Sequence, residues 1–498
     1  MNEKQVDEKQ VIVNSESHAD ISIGVIEPLS EAADADFEEG QVFKQVKDGV
    51  NFRTVGWKKA SVIFLKVIFA TGILNIPTAM YSLGAVGGTL SVIGWTLLNT
   101  YCGVILGDFR NNHKNCHSIA DMSGVLGGKI FQEIVGAIFI IAYVLASGSG
   151  ILGVAVALNA LSDHATCTVW FAFVGMILVA AAASVRKLEK IGWLTWAGFV
   201  SIFVAVFVVV IGVAVRKRPA YAPQTGPYEL GYYVIAQPSF SAGVTASATI
   251  FGSSAGTSAF LPVIAEMRNP KEYRKALYAC MSFVTVTYTV FSLVVYRYCG
   301  QWVTSPSLGS AGGIIKKVAY GIALFGLVIS GCLYLHICAK YLFVRILRNS
   351  KHLQLNTTIH WVTWLSCVWG LAGLGFVLEE AVTVYNWLAA LSGSLCFAPL
   401  ALTLPGLMWI YDHKSWVKGK LLQQVMYWLH WGLAALGVFL MVGGTYATAE
   451  EIKAAYATGS LGYLVVFYII HVVISTGSSN AISTGATFNC ADNSATTL

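Results

Sequence analysis

Two short stretches carry the residue types best able to do chemistry in this chain: Lys66 to Pro77, KVIFATGILNIP, and Phe251 to Pro262, FGSSAGTSAFLP. Each lies within an apolar run long enough to cross a bilayer, and each interrupts that run. Pro77 lacks a helical N–H and disfavours the α conformation at Ile76, while Gly72 frees the backbone by removing Cβ. A continuous helix is therefore not expected from Thr71 to Ile76. Non-helical backbone at membrane depth is tolerated only against protein or a water-filled cavity. Amides freed at a helix start attract a carboxylate, and freed carbonyls suit an ammonium group or a coupling cation. Thr71, Gly72, Ile73, Leu74 and Asn75 are thus candidates to read both ends of an amino acid.

In the second stretch, Gly252, Ser253, Ser254, Gly256, Thr257 and Ser258 lack the bulk to fill a bilayer interior. They either permit close helix contact or leave a cavity beside the first break, which Phe251 and Phe260 would wall. A packing kink is the alternative for either stretch alone; two matched interruptions argue against it.

Several ionisable or polar positions are candidates for coupling or gating. Lys66 is an intramembrane charge, a functional candidate by type, with snorkelling to the near interface as the alternative. Glu266 and His336, with Lys340, sit near the inner ends of the sixth and eighth apolar runs; a histidine such as His336 could couple protons, or is structural. Ser330, beside Gly331 at mid-depth of the eighth run, offers either a cation-site oxygen or packing. In the third run, Gly148, Gly150 and Gly153 spell GxGxxG. No strand precedes them and no soluble βαβ unit surrounds them, so a helix-packing face is expected, with Tyr143 reaching the cavity.

The elements that must position these residues are helices in a membrane. The 498 residues are 56% hydrophobic and 12% charged, with mean hydropathy +0.64, against roughly 25% charged in soluble domains. Eleven apolar runs between residues 58 and 445 each approach the twenty residues a bilayer needs. Residues 1–52 hold twelve acids against four lysines, a net −8, which leaves +14 of the overall +6 to the remainder. That excess falls in alternate loops, around Arg110, Arg186, Arg268, Arg345 and Lys414, on the side of the N-terminus; only Arg216, Lys217 and Arg218 lie opposite. The N-terminus is therefore expected inside, with the acidic pair Glu379 and Glu380 in an outer loop.

The expected architecture is an all-α polytopic membrane protein of about 11 transmembrane helices. Broken helices 1 and 6, at matching positions in oppositely oriented halves, point to a leucine-transporter-like 5+5 inverted repeat. Residues 1–56 are read as a disordered cytoplasmic tail, 57–446 as the transporter domain, and 447–498 as a tail with a marginal apolar run at 460–475 that is expected not to cross. Most of the ten cysteines lie in apolar runs. Cys167 and Cys299 could both face outside and bridge, but free thiols are expected.

Several classes are excluded. No GxxxxGK[ST] motif supports an ATP-driven pump, and no Cys/His spacing suits a metal. The spans lack the clustered acids, histidines or Ser/Lys pair of a membrane enzyme. The basic excess belongs to loops, not to nucleic acid. A channel or non-transporting nutrient receptor remains a separate class, as does a vacuolar exporter within the carriers.

Lys66, Gly72 and Pro77, spaced K-x5-G-x4-P, resemble the first-span signature of the amino acid/auxin permease family. Glu266-Met267, Pro270 and Tyr273 in FLPVIAEMRNPKEYRKAL resemble the same family's acidic-Met-x-x-Pro-x-x-aromatic segment. With SGCLYLHICAKYLFVRIL, residues 56–446 are similar to the fungal neutral amino-acid permeases of the methyltryptophan-resistance type. The resemblance implies a plasma-membrane symporter that imports neutral aliphatic and aromatic amino acids with protons, without a cofactor. A span-five lysine found in some proton-driven relatives has no counterpart here.

Overall fold

The first membrane crossing is built from two pieces because its sequence cannot make one. In the computed structural model, α1 runs Trp57–Gly72, and α2, Ile76–Asn112, begins after a three-residue turn. Sixteen residues at 1.5 Å each give about 24 Å, short of a bilayer core of about 30 Å. The first turns of α2 complete the crossing. Pro77 sits in the opening turn of α2, where a missing N–H costs nothing. Gly84, with φ 75°, then kinks α2 and starts the second crossing. The structure describes residues 55–113, 116–186, 188–265, 267–348, 350–353, 355, 357–381, 384–457, 490, 493 and 496–497. The N-terminal tail to residue 54, Glu266, the side chain of Thr71 and the run 460–475 lie outside the described residues.

The sixth crossing is divided in the same way. Helix α6, Phe240–Ser254, is capped by the Ser239 hydroxyl and followed by a 3-10 turn, Gly256–Ala259, and a short α7, Phe260–Ala265. Between the two broken crossings run α3 (Ile119–Ser162), α4 (Thr168–Ala183) and α5 (Leu188–Ala214). After them come α8 (Tyr273–Cys299), α9 (Gly313–Leu347) and α10 (Thr358–Ala381). The tenth crossing starts as α11 (Tyr385–Leu391), widens into π-helical turns at Ser392–Phe397 and Pro399–Thr403, and ends as α12 (Leu404–Asp412). Helices α13 (Leu421–Phe439) and α14 (Thr445–Ala457) form the last. Among the described residues, eight helices are long and apolar enough to cross a membrane. The 16-residue α4 and the two broken crossings bring the total to the eleven expected from sequence.

The packing of these helices repeats after five crossings. Helix α1 packs on α8 as α6 packs on α2, and α1 packs on α5 as α6 packs on α11. The pairs α3·α4 and α9·α10, and α4·α9 and α10·α3, correspond in the same way; α5 lies on α9 as the tenth crossing lies on α3. Counterparts five crossings apart run in opposite directions, so this is the packing of an inverted repeat. The central α3–α9 contact depends on small residues. A Cβ on Gly150 would lie 2.7 Å from Gly331 Cα, which identifies the GxGxxG run as a helix-packing face.

Two readings from sequence are corrected. Glu379 and Glu380 do not stand in a solvated loop: both are buried at the end of α10. The cysteines are not all free, because Cys167 is bonded to Cys490, while Cys299 is buried and unbridged. Around that bond, Asn159 Nδ2 donates to Asn493 Oδ1, and β1 (Thr304–Ser305) pairs antiparallel with β2 (Thr496–Thr497). The apolar periodicity that locates spans carries no information about so distant a cysteine pair.

Candidate functional site

The two breaks meet. A Cβ on Gly72 would stand 2.6 Å from the carbonyl oxygen of Ser253 and 2.6 Å from the hydroxyl of Tyr288. Glycine is required at position 72 by this approach of the sixth crossing, more than by any unusual backbone angle. On the other side of α6, a Cβ on Gly252 would lie 2.9 Å from Gly393 Cα in the tenth crossing. Pairs of small residues thus draw crossings one, six and ten together around the interruptions.

Carbonyls near the end of α1 are held by tyrosines. Tyr288 of α8 donates its hydroxyl to Ile68 O at 2.7 Å, with Ser253 O 3.1 Å away. Tyr334 of α9 donates to Val67 O. The backbone after the break is tied down as well: Asn75 N donates to Gly72 O at 3.2 Å, and Leu74 O accepts from Ser307 N at 3.0 Å.

Between the breaks lies a cavity of about 50 Å³. Val67, Ile68, Gly72 and Asn75 line it from the first crossing, and Gly252, Ser253 and Gly256 from the sixth. The third crossing adds Ala146 and Ser149, α9 adds Tyr334, and the tenth adds Ala389, Ser392 and Phe397. The π-helical stretch explains the last pair, since a wider turn brings Ser392 and Phe397, five residues apart, onto one face. Among the described residues, no Asp, Glu, Lys, Arg or His lines this cavity.

Other sequence-selected residues stand beside it. Phe251 packs edge-on against Trp95, and Asn99 Nδ2 donates to Ser254 Oγ at 2.8 Å, so both side chains serve the contact with α2. Phe260 stacks on Phe64 at 3.9 Å between ring centres and closes the space below the breaks. Ile73 and Leu74 are buried away from the cavity lining. The Tyr143 hydroxyl lies 2.8 Å from Ser258 Oγ and 3.4 Å from Gly256 O, bracing the 3-10 turn of the second break.

Lys66, only 1% exposed, points to the opposite side of α1. Its ammonium donates to Ser330 Oγ at 2.8 Å, Gly326 O at 2.8 Å and Gly198 O at 3.3 Å, joining the first crossing to the eighth and fifth. His336 is buried lower on α9, edge-on to Trp364, with Nε2 3.1 Å from Arg186 O. It therefore meets the end of α4 and not the cavity.

A second, larger cavity of about 500 Å³ opens between the start of α3 and the end of α9, with Pro262 in its wall. Its lining is charged. Arg345 pairs with Glu133, and Arg348 Nη1 meets Asp121 Oδ1 at 2.9 Å, both across α3 and α9. These arginines belong to the loop side that carries most of the basic residues.

An uncharged pocket at two helix breaks, in a five-plus-five repeat, is a carrier's geometry, and comparison with known proteins places it. The family profile described as "Transmembrane amino acid transporter protein" matches residues 53–450, most of the chain and every described crossing except the last turns of α14. The chain belongs to this transmembrane amino acid transporter family. A "Transmembrane transporter" of Gibberella moniliformis is 49% identical over 440 residues, 88% of this chain and 93% of that one. Another so named, from Fusarium pseudograminearum, is 46% identical over 424 residues, covering 85% of this chain and 89% of its own. The "N amino acid transport system protein" of Neurospora crassa is 27% identical over 418 residues, 82% of this chain and 87% of its own. The family consists of transporters and not enzymes. Within it, the contributions of Tyr288, Tyr334, Ser392 and Phe397 escaped the sequence reading. The one signal for the tenth crossing was the small-residue run Ser392-Gly393-Ser394, similar in composition to the Gly252-Ser253-Ser254 run it packs against.

Proposed function

We propose that this protein imports neutral amino acids across the plasma membrane, driven by protons, with its N-terminus in the cytoplasm. The observation that carries the reading is the cavity between the breaks, whose lining among the described residues holds no Asp, Glu, Lys, Arg or His. Such a pocket accepts a zwitterion whose own side chain is uncharged, because a charged side chain would be desolvated there without a partner. The carbonyls at the C-terminal ends of α1 and α6 face the ammonium group, and the N-terminal end of α2 at Asn75 faces the carboxylate. Thr71 to Asn75 and Gly252 to Gly256 form the substrate-binding backbone; Tyr143 and Phe251 support it. The Neurospora relative is named for amino acid transport, which supports an amino acid as the cargo.

Lys66 supports the proton as coupling ion. Among the described residues its ammonium is held by three neutral oxygens and no carboxylate, a position whose charge, if lost, would release α1 from α5 and α9. The experiment is uptake of radiolabelled leucine and tryptophan by cells expressing the protein, at acid and neutral external pH, with and without a protonophore. Accumulation that rises at acid pH and collapses with the protonophore is expected. Surface-expressed protein without uptake would overturn the import reading in favour of a receptor, and protein confined to the vacuole would favour an exporter.

A further inference from the structure

The tenth crossing begins, one turn before the cavity, with a tyrosine that neither break predicts. Tyr385 opens α11 and is 2% exposed, yet its hydroxyl has no hydrogen-bond partner among the described residues. Positions 385, 389 and 392 are four and three residues apart, which places them on one helical face. Ala389 and Ser392 of that face line the cavity, so Tyr385 stands one turn before it, towards the start of the crossing. Its phenolic oxygen lies within electrostatic range of those of Tyr288 and Tyr334. Those two hydroxyls donate to carbonyls of α1 that border the same cavity. The hydroxyls of Tyr288 and Tyr334 have acceptors, whereas that of Tyr385 has none among the described residues.

A buried donor without an acceptor is costly to maintain, and a buried hydroxyl is ordinarily satisfied. The complement of such a donor is an acceptor brought by the ligand, and an amino acid carries one strong acceptor, its carboxylate. We infer that Tyr385 is a substrate-positioning residue whose hydroxyl donates to the carboxylate of the bound amino acid, from the tenth crossing. The inference rests on the amino-acid reading of the cavity and extends it: selection for the carboxylate is shared between the first break and a side chain seven residues before Ser392. The bond would be charge-assisted, which makes it stronger than the neutral hydrogen bonds around it.

The test is binding of radiolabelled leucine to purified full-length protein, for the wild type and for Tyr385→Phe, which removes the hydroxyl and keeps the ring. Isopentylamine, which is leucine without its carboxylate, serves as a competing probe. The expected result is a Kd for leucine raised roughly ten- to a hundredfold in Tyr385→Phe, with competition by the amine unchanged. Equal leucine affinity in the two proteins would overturn the inference. So would a parallel loss for leucine and the amine, because a merely structural role would weaken both. Wild-type protein that binds no leucine would overturn the amino-acid reading beneath it, an outcome distinct from the other two.

Discussion

Lys66 of the first crossing and Ser330 of the eighth are joined by a 2.8 Å hydrogen bond at the centre of a three-oxygen cradle. Gly326 O and Gly198 O complete it, so one ammonium ties three crossings together on the side of α1 away from the cavity. Among the described residues, no carboxylate pairs with Lys66. A charge so placed is held by hydrogen bonds alone, and its loss changes what α1 can release.

Lys66→Met therefore keeps the length of the side chain and deletes the donor. Folded-state stability is expected to fall by about 1–3 kcal/mol, from carbonyls and a hydroxyl left short of a partner. Uptake is expected to lose its stimulation by acid external pH. Melting of the purified protein and uptake at two pH values check the two effects separately. Intact acid stimulation alongside lowered melting would make Lys66 a strut and nothing more.

Gly72 admits no methyl group, because Ser253 O and Tyr288 Oη both stand where it would go. Gly72→Ala is expected to cut uptake at least tenfold at normal surface abundance, the cost of overpacking being about 1–3 kcal/mol. Adding Tyr288→Phe should not restore transport, since the Ser253 obstacle is backbone. Uptake by the double variant near the wild-type level would show that the contact is with Tyr288 alone.

The parts of this site that could be read from sequence are those written as local exceptions. A proline and a glycine inside an apolar run mark a break wherever they occur, so Gly72, Pro77 and the Gly252–Gly256 stretch could be found without coordinates. The eleven crossings were legible because hydrophobic length is a local property. The partners were not. Nothing about Tyr288, Tyr334 or Tyr385 distinguishes them from any aromatic in a span until the fold sets the first two against carbonyls of α1 and the third one turn before the cavity. Phe251 looked like a cavity wall because of its neighbours in sequence, yet the helix turns it to Trp95. Glu379 and Glu380 looked solvated because acids at a span end usually are, and only tertiary packing buries them.

The crossing of α3 and α9 gives a prediction about stability with its own control. A Cβ on Gly150 would lie 2.7 Å from Gly331 Cα and 2.9 Å from Gly331 N, backbone atoms that cannot step aside. Gly370, on the exposed face of α10, has nothing within 4 Å of its Cβ position. Gly150→Ala is expected to destabilise the protein by about 1–3 kcal/mol. Gly370→Ala should be neutral, or stabilising by up to about 1 kcal/mol through helix propensity. Thermal melts of both variants in one detergent decide it. Equal melting temperatures would mean that the close approach of α3 to α9 is not maintained.

The bond between Cys167 and Cys490 tests the orientation of the whole molecule. Cys167 sits between α3 and α4, three crossings from an N-terminus proposed to be cytoplasmic, so the bond belongs on the outer face. There an oxidising environment would preserve it. Cys490→Ser should leave a partly exposed thiol at Cys167, one that a membrane-impermeant maleimide labels on intact cells. The wild type should label only after reduction, because the remaining cysteines among the described residues are buried. Labelling of unreduced wild type at Cys167 would mean that the bond does not form. A Cys490→Ser protein that labels only after the cells are permeabilised would place this face in the cytoplasm, and with it would reverse the direction assigned to every crossing.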